Sequence, residues 1–367
     1  MDPAPPLDGT RPVRAGEELP ADALARWLAG HLEAPHPSGS LEIAQFPGGH
    51  SNLTYLLRWG DRELVLRRPP VGSTVKTAHD MGREFRVLSK LAAVYPKAPR
   101  PFLHCDDPSI LGAPFYLMER VRGTVLRDRR AGGLDIPPER MRALSEAAVN
   151  GLAELHRIDL DAAGLADLGR PRGYAARQVA GWGERWIAAR TDDVPEIDRA
   201  FAWLGARIPA EDLPPALLHN DYKYDNLVFA PDLTRVVAVL DWEMATTGDP
   251  RMDLGYALAC WIDPGDAPPL QALAFGPTAM PGNLARAEVA ERYAAATGRT
   301  LEDLGDVLFF YVFGLAKLAV IAQQIYARYR RGLTRDERFA RLLDGVRILG
   351  ATAAKAVEKG RIDRLEA

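Results

Sequence analysis

The spacing of apolar positions changes character about a third of the way along the chain. "ADALARWLAGHL" (residues 21–32) has the pattern of a short amphipathic helix. "LEIAQFPGGHSNLTYLLRWGDRELVLRRPP" (residues 41–70) then reads as strand, glycine turn, strand, tight turn, strand. Trp59-Gly60-Asp61, between two alternating runs, is a hairpin signal. "AHDMGREFRVLSKLAAVY" (residues 78–95) spaces its apolar residues by three and four, which predicts a helix. "PFYLMERV" (residues 114–121) returns to strand, and Gly123 breaks it. Beyond Gly123 the period is helical. "PPERMRALSEAAVNGLAELHRID" starts on proline, as helices often do. Further helices are expected over residues 174–189, 197–207, 254–261, 284–296, 304–330 and 335–359. The strands expected in this half flank a single stretch, "LLHNDYKYDNLVF" (residues 217–229). No internal repeat is present. The pattern predicts an α+β chain, a small sheet with one main helix followed by a mostly helical part. A site at the junction of two such lobes is the default expectation.

Length and composition narrow the setting. A chain of 367 residues holds one or two domains and buries a large core without staples. The net charge of -3 and the lack of a Lys/Arg block argue against nucleic acid or an anionic membrane as partner. The densest basic stretch, Arg328-Tyr329-Arg330-Arg331, reads as a solvated helix end or an anion-binding edge. Two distant cysteines make neither a disulfide framework nor a zinc pattern, so reduced thiols and a cytoplasmic setting are expected. The first 20 residues are Pro-rich and polar, without the apolar core of a signal peptide. They are expected to be disordered or loosely attached. The longest apolar run, residues 307–322, is interrupted by Lys317 and is expected as a buried core helix rather than a membrane span.

The chemistry concentrates in residues 217–229, where His219, Asp221, Lys223, Asp225 and Asn226 stand between apolar ends. Residues 227–229 and 236–240 are short apolar runs joined by a turn-forming Ala-Pro-Asp-Leu-Thr segment. Folded as an antiparallel hairpin, they bring Asn226 close to Asp241. An amide carbonyl and a carboxylate are hard oxygen ligands that suit Mg²⁺, which shares its shell with phosphate and water. Asp221 could take a proton from an attacking hydroxyl. The Lys223 ammonium could neutralise a transferring phosphoryl group. An Asp-Asn pair in a loop more often caps and turns the backbone. The full series of His-x-Asp-x-Lys-x-x-Asn, hairpin and distal Asp is far more restrictive.

This stretch resembles the catalytic loop of the protein-kinase-like fold and is most similar to the aminoglycoside phosphotransferase family of small-molecule kinases. "HNDYKYDN" matches the family's His-x-Asp-x-x-x-x-Asn, "LDWE" (residues 240–243) its metal-binding Asp motif, and "GDPRMDLGYAL" (residues 248–258) the segment that follows. The resemblance runs from about residue 41 to about residue 330, and "GLAELHRIDL" (residues 151–160) matches the helix before the loop. It implies a bilobal fold. Residues 21–118 would be a nucleotide-binding lobe, 119–123 a hinge and 124–367 a helical lobe with the catalytic loop and acceptor site. Asp221 would be the catalytic base, Asn226 and Asp241 would hold Mg²⁺, and His219 and Asp253 would brace the loop. Glu243 could reach a second metal through water.

The same fold implies parts in the N-terminal third. Gly48 and Gly49 would let backbone N–H groups approach phosphate, with Ser51 and Asn52 as further donors. The cation of the third strand falls on Arg67 or Arg68, where the family normally has lysine. Arginine keeps the charge but changes reach and geometry. Glu84 is the helix residue expected to hold that cation, and the backbone from Glu119 to Val121 would face the adenine. ATP and GTP both fit this reading, as does a homodimer.

"LVLRRPP", "AHDMGREFRVL", "YLMERVRG" and the stretches around Asp221 and Asp241 are similar to a subgroup of the family that occurs fused to acyl-CoA dehydrogenases or alone. That context implies a hydroxyacyl-CoA or hydroxy acid as phosphoryl acceptor. An aminoglycoside or amino-alcohol kinase is an alternative, and so is a nucleotide-binding module that has lost catalysis and serves regulation. The intact set Asp221, Asn226 and Asp241 favours the enzyme. The arginine on the third strand is the feature favouring decay.

Overall fold

The computed structural model describes residues 9–32, 39–47, 52–70, 80–334 and 336–366. The contacts divide the chain into two compact units. The first runs up to Val125 and includes Val228–Asp232 and Val236–Ala245; the second takes Leu126–Leu227, Leu233–Arg235 and everything from Thr246 onward.

In the first unit, helix α1 (Ala21–His31) precedes strands β1 (Glu42–Gln45), β2 (Leu53–Trp59) and β3 (Arg62–Arg68). Helix α2 (Met81–Leu91), strand β4 (Pro101–Cys105), the single turn α3 (Pro108–Leu111) and strand β5 (Phe115–Glu119) follow. The five strands form one antiparallel sheet in the order β1-β2-β3-β5-β4. The expected β2–β3 hairpin pairs Trp59 with Arg62 around Gly60, whose φ of 58° needs glycine's freedom. Strand β4 was not expected from the sequence. It opens on proline and is only partly buried, so its alternation is weak.

The period of two along β3 decides where its charges go. Leu64 and Leu66 point into an apolar cluster with Leu24 and Leu28 of α1, Tyr55 of β2 and Phe115 and Leu117 of β5. Arg68 shares that side and donates to the Leu111 carbonyl (2.8 Å). Arg67 points to the opposite side, where α2 lies. Residues 9–20 are attached to this unit rather than loose. Arg11 and Gln45 exchange backbone hydrogen bonds of 2.8 Å, the Tyr55 hydroxyl donates to the Glu17 carbonyl (2.7 Å), and Leu19 enters the core. Paired backbone and one apolar anchor outweigh the Pro-rich composition there.

The second unit is mostly helical: α4 (Pro138–His156), α5 (Tyr174–Ala189), α6 (Pro195–Gly205), α7 (Pro250–Cys260), the short α8 (Pro268–Gln271), α9 (Arg286–Ala296), α10 (Val307–Arg330) and α11 (Leu342–Lys359). Strand β6 (Ala216–Leu218) pairs with β9 (Thr246–Gly248). Between them in sequence, β7 (Leu227–Phe229) and β8 (Val236–Val239) form a two-stranded sheet that belongs almost wholly to the first unit. The last helix starts seven residues later than expected, because Glu337–Arg341 form a 3₁₀ turn capped by Asp336. Helix α10 is long and apolar enough to cross a membrane by length and composition, yet most of it is buried within its own unit against α7 and α11.

Candidate active site

Within the second unit, the chain leaves β6 at Leu218 and turns through His219 and Asn220 to Asp221. Asn220 has φ of 60°, an uncommon value for a residue with a side chain. The His219 backbone N–H donates to Asp253 on α7 (2.7 Å), and the His156 ring meets the same carboxylate oxygen (3.1 Å). The turn is thereby tied to two helices, in keeping with the bracing expected of His219 and Asp253.

Asp221 is surrounded by donors. Lys223 Nζ lies 2.9 and 3.0 Å from its two carboxylate oxygens. Asn226 Nδ2 donates to Oδ2 (2.8 Å) and to the Asp221 backbone carbonyl (2.8 Å). The Tyr256 hydroxyl donates to Oδ1 (2.6 Å). Burial alone would raise the Asp221 carboxyl, but Lys223 and the Tyr256 hydrogen bond hold it below the usual range, so it stays ionised. Lys223 is also 3.8 Å from Asp225, whose carboxyl burial pushes up to about 6. Both Asn226 hydrogen bonds use Nδ2, which turns the carbonyl oxygen Oδ1 the other way. Tyr222 and Tyr224, which no motif assigns a role, anchor the loop. Their hydroxyls donate to the Ala148 carbonyl (2.7 Å) and to Asn283 (3.2 Å).

Beside this loop is a small, partly open pocket with a cavity volume of about 20 Å³. Its walls are nearly all apolar: Val149 and Leu152 of α4, Ala257 of α7, Trp261 and Phe275. Lys223 is the one formally charged lining residue, with its ammonium 5.3 Å from the Phe275 ring centre.

Within the first unit, Arg67 meets two carboxylates. Its guanidinium lies 3.4 Å from Glu84 on α2 and 2.9 Å from Asp241. Burial would lower the Arg67 pKa, and the two carboxylates reverse that and hold it well above the ordinary value. Burial keeps the Glu84 carboxyl above its ordinary value against the pull of Arg67. Arg67, and not Arg68, therefore takes the place opposite the helix acid. Asp241 has φ of 69° and follows β8 by two residues. The turn after it is clamped from α2 and from Asn52, the residue before β2. The Trp242 N–H donates to Glu84 (3.1 Å), Arg83 donates to the carbonyls of Glu243 (3.0 Å) and Ala245, and Asn52 donates to the Glu243 carboxylate (2.7 Å).

Gly49 and Ser51 lie outside the described residues. Asn52 is buried and engaged with Glu243. The Glu119 N–H bonds to the Arg100 carbonyl (2.9 Å), and Val121 packs against Val125, Val228 and Ala238. Among the described residues no three His, Cys, Asp or Glu side chains cluster as a metal centre. Mg²⁺ needs no such cluster, because one or two protein oxygens, phosphate and water complete its shell. Asn226 Oδ1 in the second unit and the Asp241 oxygen not taken by Arg67 in the first are each a donor of the kind that ion takes.

Sequence reasoning passed over Tyr256 and Lys317. Tyr256 stood inside the quoted "GDPRMDLGYAL" segment, and Lys317 was the charge interrupting an otherwise apolar helix.

The profile of the APH phosphotransferase enzyme family matches residues 42–289. Acyl-CoA dehydrogenase family member 10 of Mus musculus is 36% identical over 326 residues, which cover 89% of this chain and 30% of the mouse protein. Acyl-CoA dehydrogenase family member 11 of Gallus gallus is 35% identical over 88% of this chain and 42% of its own length. The chain thus spans less than half the length of these curated relatives. Among solved structures, a "putative aminoglycoside phosphotransferase" from Ralstonia eutropha superposes with a TM-score of 0.77 at 31% identity, covering 93% of this chain and 99% of the other. Choline kinase from Cryptosporidium parvum, at 13% identity, shares the fold with a TM-score of 0.60 over 90% of this chain and 99% of its own.

Proposed function

Because the chain belongs to the APH phosphotransferase enzyme family, we propose that it moves the γ-phosphoryl group of ATP or GTP to a hydroxyl of a small molecule. The new bond forms between the acceptor oxygen and the γ-phosphorus, the bond to the β-phosphate oxygen breaks, and the nucleoside diphosphate leaves. Asp221 orients the acceptor hydroxyl and takes its proton as the P–O bond forms. Asn226 and Asp241 are assigned to Mg²⁺, which when bound neutralises phosphate charge and orients the γ-phosphoryl group. Arg67, steadied by Glu84, is assigned to the nucleotide phosphates. Lys223 keeps Asp221 ionised and supplies positive charge next to the transferring group.

The observation that carries this reading is the Asp221 carboxylate, held ionised by three side-chain donors on the loop that matches the family's motif. For the acceptor we favour a hydroxyacyl-CoA or a hydroxy acid. The lining beside Asp221 is apolar and holds no acidic residue, a chemistry closer to an acyl group than to a polycationic antibiotic. The relatives named for acyl-CoA dehydrogenation lend support by analogy. A regulatory nucleotide-binding module is the second reading, favoured by Arg67 standing where the family normally has lysine. Incubation with Mg-ATP and a panel of hydroxyacyl-CoAs, hydroxy acids, sugars, amino alcohols and aminoglycosides, with ADP release followed, separates these readings. Turnover with the acyl acceptors is expected; nucleotide binding without turnover on any acceptor would favour the regulatory module.

A further inference from the structure

Helices α7 and α10 approach unusually closely. A Cβ on Gly255 would lie 2.2 Å from the Phe310 carbonyl oxygen, and one on Gly314 would lie 2.4 Å from the Gly255 carbonyl oxygen. Only a pair of glycines lets two backbones meet at that distance. Tyr256 follows the first glycine, and Lys317 stands one helical turn beyond the second. The crossing therefore brings the Lys317 ammonium to 4.3 Å from the centre of the Tyr256 ring. The Trp182 ring of α5 is 5.6 Å away on the same cation. Both Tyr256 and Lys317 are nearly fully buried.

Each of the two residues then reaches the loop. Lys317 Nζ donates to the Asn220 backbone carbonyl (2.9 Å). Asn220 is the residue whose left-handed backbone delivers Asp221, and its side chain is also bonded to the Tyr174 hydroxyl (3.3 Å). The Tyr256 hydroxyl donates to Asp221 Oδ1 at 2.6 Å. Burial and the Asp221 charge hold the Tyr256 pKa well above its ordinary value, so the phenol keeps the proton it donates. A lysine buried among aromatic rings costs free energy unless it is paired. No carboxylate forms an ion pair with Lys317 among the described residues. Its compensation is the carbonyl bond and the ring faces, each worth more away from water.

We propose that Tyr256 and Lys317 are a positioning pair for Asp221. Tyr256 fixes the carboxylate oxygen, and Lys317 fixes both the tyrosine ring and the peptide that precedes the aspartate. Neither residue contacts the phosphoryl group; both act through Asp221. The proposal rests on the phosphotransferase reading above and deepens it.

The test is a double-mutant cycle on kcat with Mg-ATP and the hydroxylated acceptor of the panel that turns over fastest. Tyr256→Phe removes one oxygen and keeps the ring, so the fold is retained, with Lys317→Met as the second variant. In the wild-type background Tyr256→Phe is expected to lower kcat by about ten- to a hundredfold, the range for a hydrogen bond to a charged group. Lys317→Met is expected to lower it by about three- to tenfold, and KM for Mg-ATP stays unchanged in both. In an Asp221→Asn background both substitutions are expected to have almost no further effect, because the group they position no longer acts. A Tyr256→Phe protein as active as wild type would overturn the pair. Equal losses in both Asp221 backgrounds would also overturn it, since a merely structural contact acts regardless of Asp221. A wild type inactive on every acceptor would overturn the phosphotransferase reading itself, and this pair with it.

Discussion

The two units each bury a charge beside a turn of the chain, and they surround it in opposite ways. In the first unit a guanidinium, Arg67, is set between the carboxylates of Glu84 and Asp241. In the second a carboxylate, Asp221, is set among the donors of Lys223, Asn226 and Tyr256. The first arrangement has more negative than positive charge. One of its acids, Asp241, is 27% exposed and can exchange a partner. The second has every carboxylate oxygen engaged and a fixed orientation. Surplus negative charge with an exposed oxygen is what a site needs to accept a cation and its phosphate. A fully donated carboxylate is what a site needs to present one lone pair in one direction. The function proposed above gives Arg67 and Asp241 of the first arrangement to nucleotide and metal, and Asp221 of the second to the acceptor.

The largest expected effects break that division outright. Asp241→Ala should abolish Mg²⁺-dependent nucleotide binding, seen by calorimetry with and without Mg²⁺. Binding of Mg-nucleotide at wild-type affinity would remove Asp241 from the metal. Asp221→Asn should lower kcat by about a hundredfold or more while nucleotide affinity barely changes. A parallel fall in both would place Asp221 with the nucleotide instead.

A smaller effect tests how the second unit achieves its rigidity. Gly255→Ala forces a methyl group against the Phe310 carbonyl and should destabilise the protein by about 1–3 kcal/mol, visible as a lower denaturant midpoint. An unchanged midpoint would show that α7 and α10 can separate without cost.

The smallest effect is one of pH. Burial lowers the Lys317 pKa to about 8, against 10.5 for an exposed lysine. Between these values the unfolded chain binds more protons than the folded one, so stability rises with pH across that window. The cost of the buried charge is fully present below pH 8. Wild type should therefore gain stability relative to Lys317→Met between pH 8 and 10.5, in paired denaturant titrations. Parallel curves would show that Lys317 titrates as an exposed lysine.

Much of this is legible in the sequence, for physical reasons that differ by element. Helices such as Tyr174–Ala189 follow from periodicity, and the β2–β3 hairpin from alternating runs around the Trp59-Gly60-Asp61 turn. The Asp221 loop was legible because its polar residues sit between apolar strands, where idle polarity would be costly. Strand β4 was missed because an edge strand with one proline and partial burial has little alternation. The attachment of residues 9–20 was missed because it rests on backbone pairing, which composition does not reveal. Tyr256 and Lys317 were missed as site residues because a period identifies the buried face of a helix but not which buried residue meets a loop 35 or 97 positions away. Most of the β7–β8 hairpin also belongs to the first unit, although its sequence lies deep in the helical part.

The central claim is phosphoryl transfer to a hydroxyl, and phosphorus NMR of the protein with Mg-ATP and a hydroxyacyl-CoA tests it most directly. The account predicts a new phosphomonoester signal that grows in step with ADP in wild type and at least about a hundredfold more slowly in Asp221→Asn. ADP accompanied only by inorganic phosphate, or a phosphomonoester formed equally fast by Asp221→Asn, would contradict it.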